Sequence, residues 1–493
     1  MSTIRATHSG LINLFIGLLK MIFAFVFITL ITRSLSVEEF GQYNLVLSII
    51  TYVVLSHYLI SYWVTRELAR GKESAKSAII SSGLFSTIGL IIFIIVGTSI
   101  IETSNLNFNL ILLASLIVPL QFLHNILSHI AIGWKPQISS YSNLILESMK
   151  LLLALIFVFG FNWGLDGIFL ALIFSFVISN AAMIYLNRKH LHSKFSFKHL
   201  RTWLSRFWIP AYPAFISIIY SFDFLIVVLL ASTEVIGYYA AALAIGSFVS
   251  FSKLISVGVY PKLLGNDRGK YLNENFRLFI YFSFLFATLS IVFAKAGLFV
   301  LNPTYETISI IVVIITLRYF LFAVYDIFMT MLKGIEIIDE QPNFTIHDFL
   351  KSKLFKIPTI QLFQYVGYIL GLTLSLIFIE FSNTLDLLLF WSVLALLIQI
   401  PSTVVISLWI QKEKLLQVKI FTISKYFLAL IPTYFIIDFF NNTFLNYDTN
   451  LFEFTFTLLL ILILGVITYL GITYAIDNNT RKLLSSIISE FKK

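Results

Sequence analysis

Four basic residues lie well away from the ends of long apolar runs or on a polar face within them: Lys20, Lys150, Lys253 and Arg318. A charge near the middle of a bilayer costs about 2.5–3.5 kcal/mol, so each of these cations needs water, protein or an opposite charge around it. A guanidinium grips phosphate through two parallel hydrogen bonds and an ammonium acts as a point charge. Four such cations lining one cavity suit a phosphate-bearing ligand. Each also has a simpler reading. Glu147 precedes Lys150 by three residues, an i,i+3 pair that lowers its own insertion cost. Asp326 follows Arg318 by eight residues on roughly the same helical face, with Tyr325, and suits a structural pair. Lys253 shares a face with Ser250 and Ser256 near one end of its run, where it can snorkel. Lys20 is near the middle of its run, on a face with Asn13 and Gly17, too deep for easy snorkelling. Arg277 and Lys295 sit toward the ends of theirs and read as interfacial.

The uncharged polar residues extend the pattern. Gln121, Asn125 and His129 form an i,i+4 stripe, and His124 and Ser128 make that run the most polar of all. Amides and imidazoles on one face suit either sugar hydroxyls or hydrogen bonds between helices. His124 and His129 are five residues apart, a poor chelating step with no acid close by, so no metal is expected. Asp223 has no partner nearby in sequence and is a candidate for a coupling proton or for pairing with a cation. Cysteine is absent, which excludes disulfides and thiolate chemistry. The chain contains no GxxxxGK[ST], GxSxG or HExxH, so the reading is of a protein that is not an enzyme and needs no cofactor.

The elements that must position these residues are membrane helices. Of 493 residues, 58% are hydrophobic and 12% charged, and the mean hydropathy is +0.91. A soluble domain carries about 25% charged residues. A helix needs about 20 mostly apolar residues to cross the hydrocarbon core. Cutting at polar clusters gives fourteen spans: 9–32, 41–64, 78–101, 109–131, 143–161, 166–186, 207–230, 237–259, 276–301, 308–332, 361–380, 387–410, 426–440 and 451–475. The thirteenth is short and can start nearer Phe421. The first run is longer than the apolar core of a signal peptide and lacks a cleavage site, so it reads as a retained span.

Of the 34 Lys and Arg residues, 27 fall in the N-terminus, the loops after even-numbered spans and the C-terminal tail; one, Arg33, falls in the loops after odd-numbered spans. The other six lie within spans. This bias places both termini in the cytoplasm. The net charge of +9 then reflects inner loops, and no nucleic-acid partner is expected. Arg33 stands beside Glu38 and Glu39, as an outer latch or an ordinary surface pair. Asn441-Asn442-Thr443 is a glycosylation sequon in an outer loop, a signal that often arises by chance. Three inner segments, 194–207, 346–357 and the tail face Leu483, Leu484, Ile487, Ile488 and Phe491, have helical apolar spacing and read as interfacial or connecting helices.

The chain also contains a duplication. Ser36-Val-Glu-Glu-Phe-Gly-Gln-Tyr43 and Ser232-Thr-Glu-Val-Ile-Gly-Tyr-Tyr239 share the pattern S-x-E-x-φ-G-x-Y at an offset of 196 residues. The same offset pairs His57 with Lys253 and Arg66 with Lys262. Six spans separate the copies, so the repeat is parallel, about an axis along the membrane normal. The motif reads as a helix start at Gly41 or Gly237, with Ser and Glu capping, Gly for close approach and Tyr at the headgroup level. The fold class is therefore all-α integral membrane, with about fourteen transmembrane helices in two parallel-repeat six-helix lobes plus two extra helices. The expected domains are 1–206 (spans 1–6 and an amphipathic linker), 207–425 (spans 7–12) and 426–493 (spans 13–14 and the tail).

Ile31-Thr-Arg-Ser-Leu-Ser-Val-Glu-Glu-Phe-Gly-Gln-Tyr43, followed by Thr65-Arg-Glu-Leu-Ala-Arg-Gly-Lys72, resembles the oligosaccharide (polysaccharide) flippases. These belong to the multidrug/oligosaccharidyl-lipid/polysaccharide exporter superfamily. Ser232–Tyr239 is similar to that family's corresponding segment, and the resemblance covers nearly the whole chain. It implies a cell-membrane protein that moves a polyprenyl-(pyro)phosphate-linked oligosaccharide from the cytoplasmic to the outer leaflet by rocking two lobes. It implies a cationic central cavity for the head group and a lipid-side groove formed in part by spans 13 and 14. The implied partners are the lipid-linked oligosaccharide, membrane lipids and glycan-assembly membrane enzymes. On that reading Lys20, Lys150, Lys253 and Arg318 line the cavity. Asp223, Asp326 and Glu147 are coupling or ion-pair acids, and Gln121, His124, Asn125 and His129 are sugar contacts. An ion-coupled multidrug or small-solute exporter of the superfamily is one rival. It needs a membrane carboxylate in the first lobe, where span 1 carries Lys20. A peptidoglycan-precursor flippase is another, and the repeat motif fits the polysaccharide branch better. A membrane-embedded glycosyltransferase ranks last, because the outer loops are too short for the catalytic acids or arginines such enzymes place there.

Overall fold

A computed structural model describes residues 4–481 apart from 70, 136, 193, 257–268, 336–344, 417–419, 448–449 and 479. All regular structure in the described residues is helical. Thirteen helices are long and apolar enough to cross a membrane. They are Val37–Leu68, Ala75–Ser99, Phe108–Trp134, Gln137–Gly160, Gly164–Leu191, Trp208–Leu230, Thr233–Ile255, Leu272–Val292, Pro303–Lys333, Lys353–Phe378, Thr384–Lys412, Phe421–Phe444 and Leu451–Ile476. Each coincides with an expected span, from the second to the fourteenth. The first expected span is the 31-residue helix Ile4–Ser34. The protein is a multi-pass all-α membrane protein with about fourteen spanning helices.

Several spans are not uniform α-helices. Span 2 tightens to 3₁₀ geometry at Leu55–His57, and span 8 does so over Ser247–Ser256. Span 5 ends in a π turn, Leu155–Gly160. Proline stands inside spans 7, 11, 12 and 13 at Pro213, Pro358, Pro401 and Pro432, each removing one backbone hydrogen bond.

Four local expectations need correction. The segment 346–357 is not one amphipathic helix. Extended backbone at Ser352 ends Ile346–Lys351, and span 11 begins at Lys353. The short helix starts with a capping box, in which Thr345 and Asp348 bond reciprocally, and these bonds hold the Asp348 carboxyl below its ordinary pKa. The sequon lies in the last turn of span 13 rather than a loop: Asn442 Nδ2 donates to Asp438 Oδ2 at 3.3 Å and Asn441 Nδ2 to the Val292 carbonyl at 3.3 Å. The repeat-motif helices start at Val37 and Thr233, four residues before the glycines. The motif tyrosines are not at a headgroup boundary, since Tyr43 is 6% and Tyr239 1% exposed. Tyr43 packs on Phe40 and Phe169, and Tyr239 stacks on Trp391 at 3.7 Å. The tail face 483–491, Lys262 and the Asn13 side chain lie outside the described residues.

Packing divides the chain into two compact units, residues 1–240 with 338–394, and residues 241–337 with 395–493. In the first, span 5 packs on spans 1 and 6, span 4 on spans 2, 3 and 6, and span 7 on span 11. At the Lys- and Arg-rich ends of these helices, one hydrophobic cluster gathers Ile60, Trp63, Val64, Ile130, Trp203, Ile209 and Phe349. The helix Phe197–Ser205 docks there through Trp203, whose indole N–H donates to Glu67 Oε1 at 3.2 Å, while His199 Nδ1 lies 3.0 Å from Glu67 Oε2. In the second unit, span 9 packs on the 3₁₀ stretch of span 8, on span 10 and on span 13, and span 13 packs on span 14. Tyr281, Tyr426 and Tyr469 join spans 9, 13 and 14: Tyr426 donates to Asp477 Oδ2 at 3.0 Å and Tyr469 to the Tyr281 carbonyl at 3.1 Å.

Candidate functional site

Lys20 is half-buried and, among the described residues, makes no hydrogen bond or ion pair. It comes close enough to His124 of span 4 to act on it electrostatically. Lys150 differs: its ammonium lies 2.5 Å from Glu147 Oε2 and 4.5 Å from the centre of the Phe27 ring. The side chains of Lys150 and Glu147 are 15% and 12% exposed, so this i,i+3 pair is largely shielded. Span 1 packs against span 5, which brings the Lys20 and Lys150 helices together.

The polar face of span 4 splits in two. His124 is held on both ring nitrogens, by Asn180 Oδ1 and Asn143 Oδ1, each at 3.3 Å. Asn180 in turn donates to the Leu120 carbonyl at 2.9 Å. Ser128 bonds Ser139, and His129 Nδ1 meets Thr65 Oγ1 at 3.1 Å with the His57 ring 5.4 Å away. These bonds tie span 4 to spans 2, 5 and 6. Gln121 and Asn125 are half-buried and make no hydrogen bond among the described residues. An amide without a partner there keeps two donors and an acceptor available.

Asp223 sits at the start of a short helix within span 7. Its carboxylate accepts from the Phe224 amide at 2.9 Å and from the Tyr368 hydroxyl at 3.0 Å, and the Trp391 indole N–H donates to that hydroxyl at 2.6 Å. Tyr220 packs on Tyr365 and Tyr368 beside it. Tyr368 and Trp391 were invisible to a search for charges in apolar runs, as were Asn143 and Asn180. The two asparagines had a readable signal, an amide inside a span, whereas an aromatic residue in a phenylalanine-rich membrane protein carries none.

In the second unit, Lys253 Nζ lies 3.0 Å from Asp326 Oδ2 and 4.8 Å from the Phe322 ring centre. Asp326 is thus held by Lys253, from a different helix. Arg318 is buried, with its guanidinium 5.8 Å from the Tyr319 ring centre. Lys295 pairs with Glu306 at 3.6 Å near the start of span 10. Between spans 9 and 13 lies an apolar groove of about 210 Å³, lined by Thr288, Ile291, Phe427, Leu430, Ile431, Tyr434 and Phe435.

The fold is that of known membrane transporters. An inward-facing multidrug resistance MATE family transporter of the MOP superfamily superposes with a TM-score of 0.58 at 12% identity, covering 82% of this chain and 99% of that one. The Vibrio cholerae MATE transporter VcmN in its bent form gives 0.52 at 13% identity, covering 83% and 99%. The lipid II flippase MurJ in an inward closed conformation gives 0.58 at 15% identity, covering 96% and 99%. No curated protein matches the chain in sequence. The chain is a multi-pass membrane protein with the fold of those transporters and that flippase. It belongs to the polysaccharide biosynthesis protein family, whose profile matches residues 7–266.

Proposed function

We propose that this protein flips a polyprenyl-(pyro)phosphate-linked oligosaccharide from the cytoplasmic to the outer leaflet of the cell membrane by alternating access. Both termini face the cytoplasm, and the duplicated lobes 1–206 and 207–425 rock against each other. The observation that carries this reading is the match to a polysaccharide biosynthesis family over more than half the chain. Lys20 supplies the centre of the site, because a half-buried ammonium without a paired acid is stabilised by an anionic ligand. Gln121 and Asn125 supply amides for sugar hydroxyls, whereas His124 and His129 would have to exchange helix-tying bonds to do so. Lys150 in the same unit as Lys20, and Lys253 and Arg318 in the other, are the further cations proposed for the head group. Glu147 and Asp326 balance two of these cations, and Asp223 is the candidate coupling acid. The apolar groove beside span 13 suits the lipid tail. Glycan-assembly membrane enzymes are the partners this role implies.

A second reading, the peptidoglycan precursor lipid II as cargo, is kept by one observation: the lipid II flippase MurJ aligns over 96% of this chain. A drug cargo is disfavoured by Lys20 standing where a membrane carboxylate is needed. Saturable binding of a fluorescent polyprenyl-diphosphate oligosaccharide to the purified protein tests the proposal. Lys20→Ala should weaken it about tenfold, the worth of one charge-assisted contact. Equal affinity in the variant removes Lys20 from the site. Tighter binding of lipid II than of the oligosaccharide favours the second reading.

A further inference from the structure

The repeat motif makes a contact that neither helix capping nor the cargo site accounts for. A Cβ placed on Gly41 would lie 1.9 Å from the Thr233 carbonyl oxygen and 3.2 Å from the Gly237 amide nitrogen. One placed on Gly237 would lie 2.2 Å from the Val37 carbonyl oxygen. These obstacles are backbone atoms, which cannot swing aside as a flexible side chain does. Only a residue without a Cβ allows spans 2 and 8 to approach this closely.

The contact is reciprocal. The glycine at the sixth position of each motif copy meets the residue at the second position of the other: Gly41 meets Thr233, and Gly237 meets Val37. Pairing of i with j and of j with i is the pattern that a two-fold relation between the motif copies produces. The first copy is braced from outside. Ser36 and Glu39 form a capping box. Glu38 Oε1 accepts from Asn105 Nδ2 at 2.9 Å, and Gln42 Nε2 donates to the Ser104 carbonyl at 3.0 Å. Farther along each helix, α geometry gives way to 3₁₀ at matched places, because Leu55–His57 moved by the repeat offset of 196 falls within Ser247–Ser256. A 3₁₀ stretch inside a long helix often marks a hinge.

We propose that the two motif copies form a backbone seal. Spans 2 and 8 close on each other at Gly41 and Gly237, and they part there, turning about their 3₁₀ stretches, when the protein opens toward the face that the charge bias assigns to the outside. The S-x-E-x-φ-G-x-Y signature is then a latch between the duplicated halves. This rests on the alternating-access reading and not on the identity of the cargo.

The chain has no cysteine, so an introduced pair reports alone. Ser34 and Leu230 are exposed, lie just before the two motifs and are related by the repeat offset. Spin labels on a Ser34→Cys/Leu230→Cys protein in proteoliposomes, read by double electron–electron resonance, should give a short and a long distance. Gly41→Ala and Gly237→Ala should each reduce the short population about tenfold or more, and together do no more than either alone. Gly367→Ala, whose Cβ would meet nothing within 4 Å, should leave it unchanged. An undiminished short population in either alanine variant overturns the seal. So does a single distance in the glycine background that no imposed proton gradient shifts, a result that needs no alanine variant to fold. Loss of cargo binding with both distances intact would count against the cargo reading alone.

Discussion

Two of the four candidate site cations are satisfied by acids, and the two pairs differ in how far sequence reveals them. Glu147 and Lys150 sit one helical turn apart, so spacing alone brings them together. Lys253 and Asp326 lie 73 residues apart on spans 8 and 10, and only packing joins them. The expected partner of Asp326 on its own helix, Arg318, obeyed helical spacing, but a cation on the facing helix took the carboxylate instead. The Lys253 and Asp326 side chains are 26% and 33% exposed. Removing one charge leaves the other unpaired inside a span. Lys253→Met should therefore lower stability in detergent by about 1–3 kcal/mol, while Lys253→Met/Asp326→Asn recovers most of it. Thermal unfolding of the two variants checks this, and a double variant no more stable than the single one would show that the pair does not hold the fold. Lys20 was legible as too deep to snorkel, and because it makes no ion pair among the described residues it is the cation whose loss should touch ligand before stability.

At the scale of elements, hydropathy located each of the long apolar helices among the described residues, because burial in lipid demands about 20 apolar residues whatever the tertiary arrangement. Amphipathic spacing also located the helix Phe197–Ser205, but not what its apolar face meets. Phe197 and Trp203 were equal members of that face in sequence, yet Phe197 is 67% and Trp203 3% exposed. The difference comes from Glu67 on span 2, which accepts the Trp203 indole N–H and draws the helix onto the cluster around Ile60 and Val64. Trp203→Ala should cost about 3–5 kcal/mol, as other buried aromatic truncations do, whereas Phe197→Ala should stay within about 0.5 kcal/mol. Comparable melting of both variants would mean that the helix is not anchored through Trp203. The break at Ser352 was hidden because apolar residues continue at helical spacing through it, and only the backbone shows that one helix ends and span 11 begins.

For the whole molecule, the duplication was readable as a motif repeated at a fixed offset, and the family followed from the residues that carry it. The reciprocal glycine contact was not readable, because sequence shows that two segments are alike but not that they touch. The distribution of 27 cations on the termini and one set of loops against one on the other set is the basis of the proposed orientation, and the fold shared with known transporters is the basis of the proposed alternating access. Transport of a lipid-linked glycan is the claim on which the rest depends. Purified protein in proteoliposomes carrying a fluorescent polyprenyl-diphosphate oligosaccharide, with chemical quenching of the outer leaflet, measures it directly. The account predicts protein-dependent flipping that is lost in Lys20→Ala, Lys253→Ala and Arg318→Ala while each variant remains folded. Wild-type flux in all three would contradict the cationic site, and no flipping by the wild-type protein, with or without an imposed ion gradient, would contradict the function.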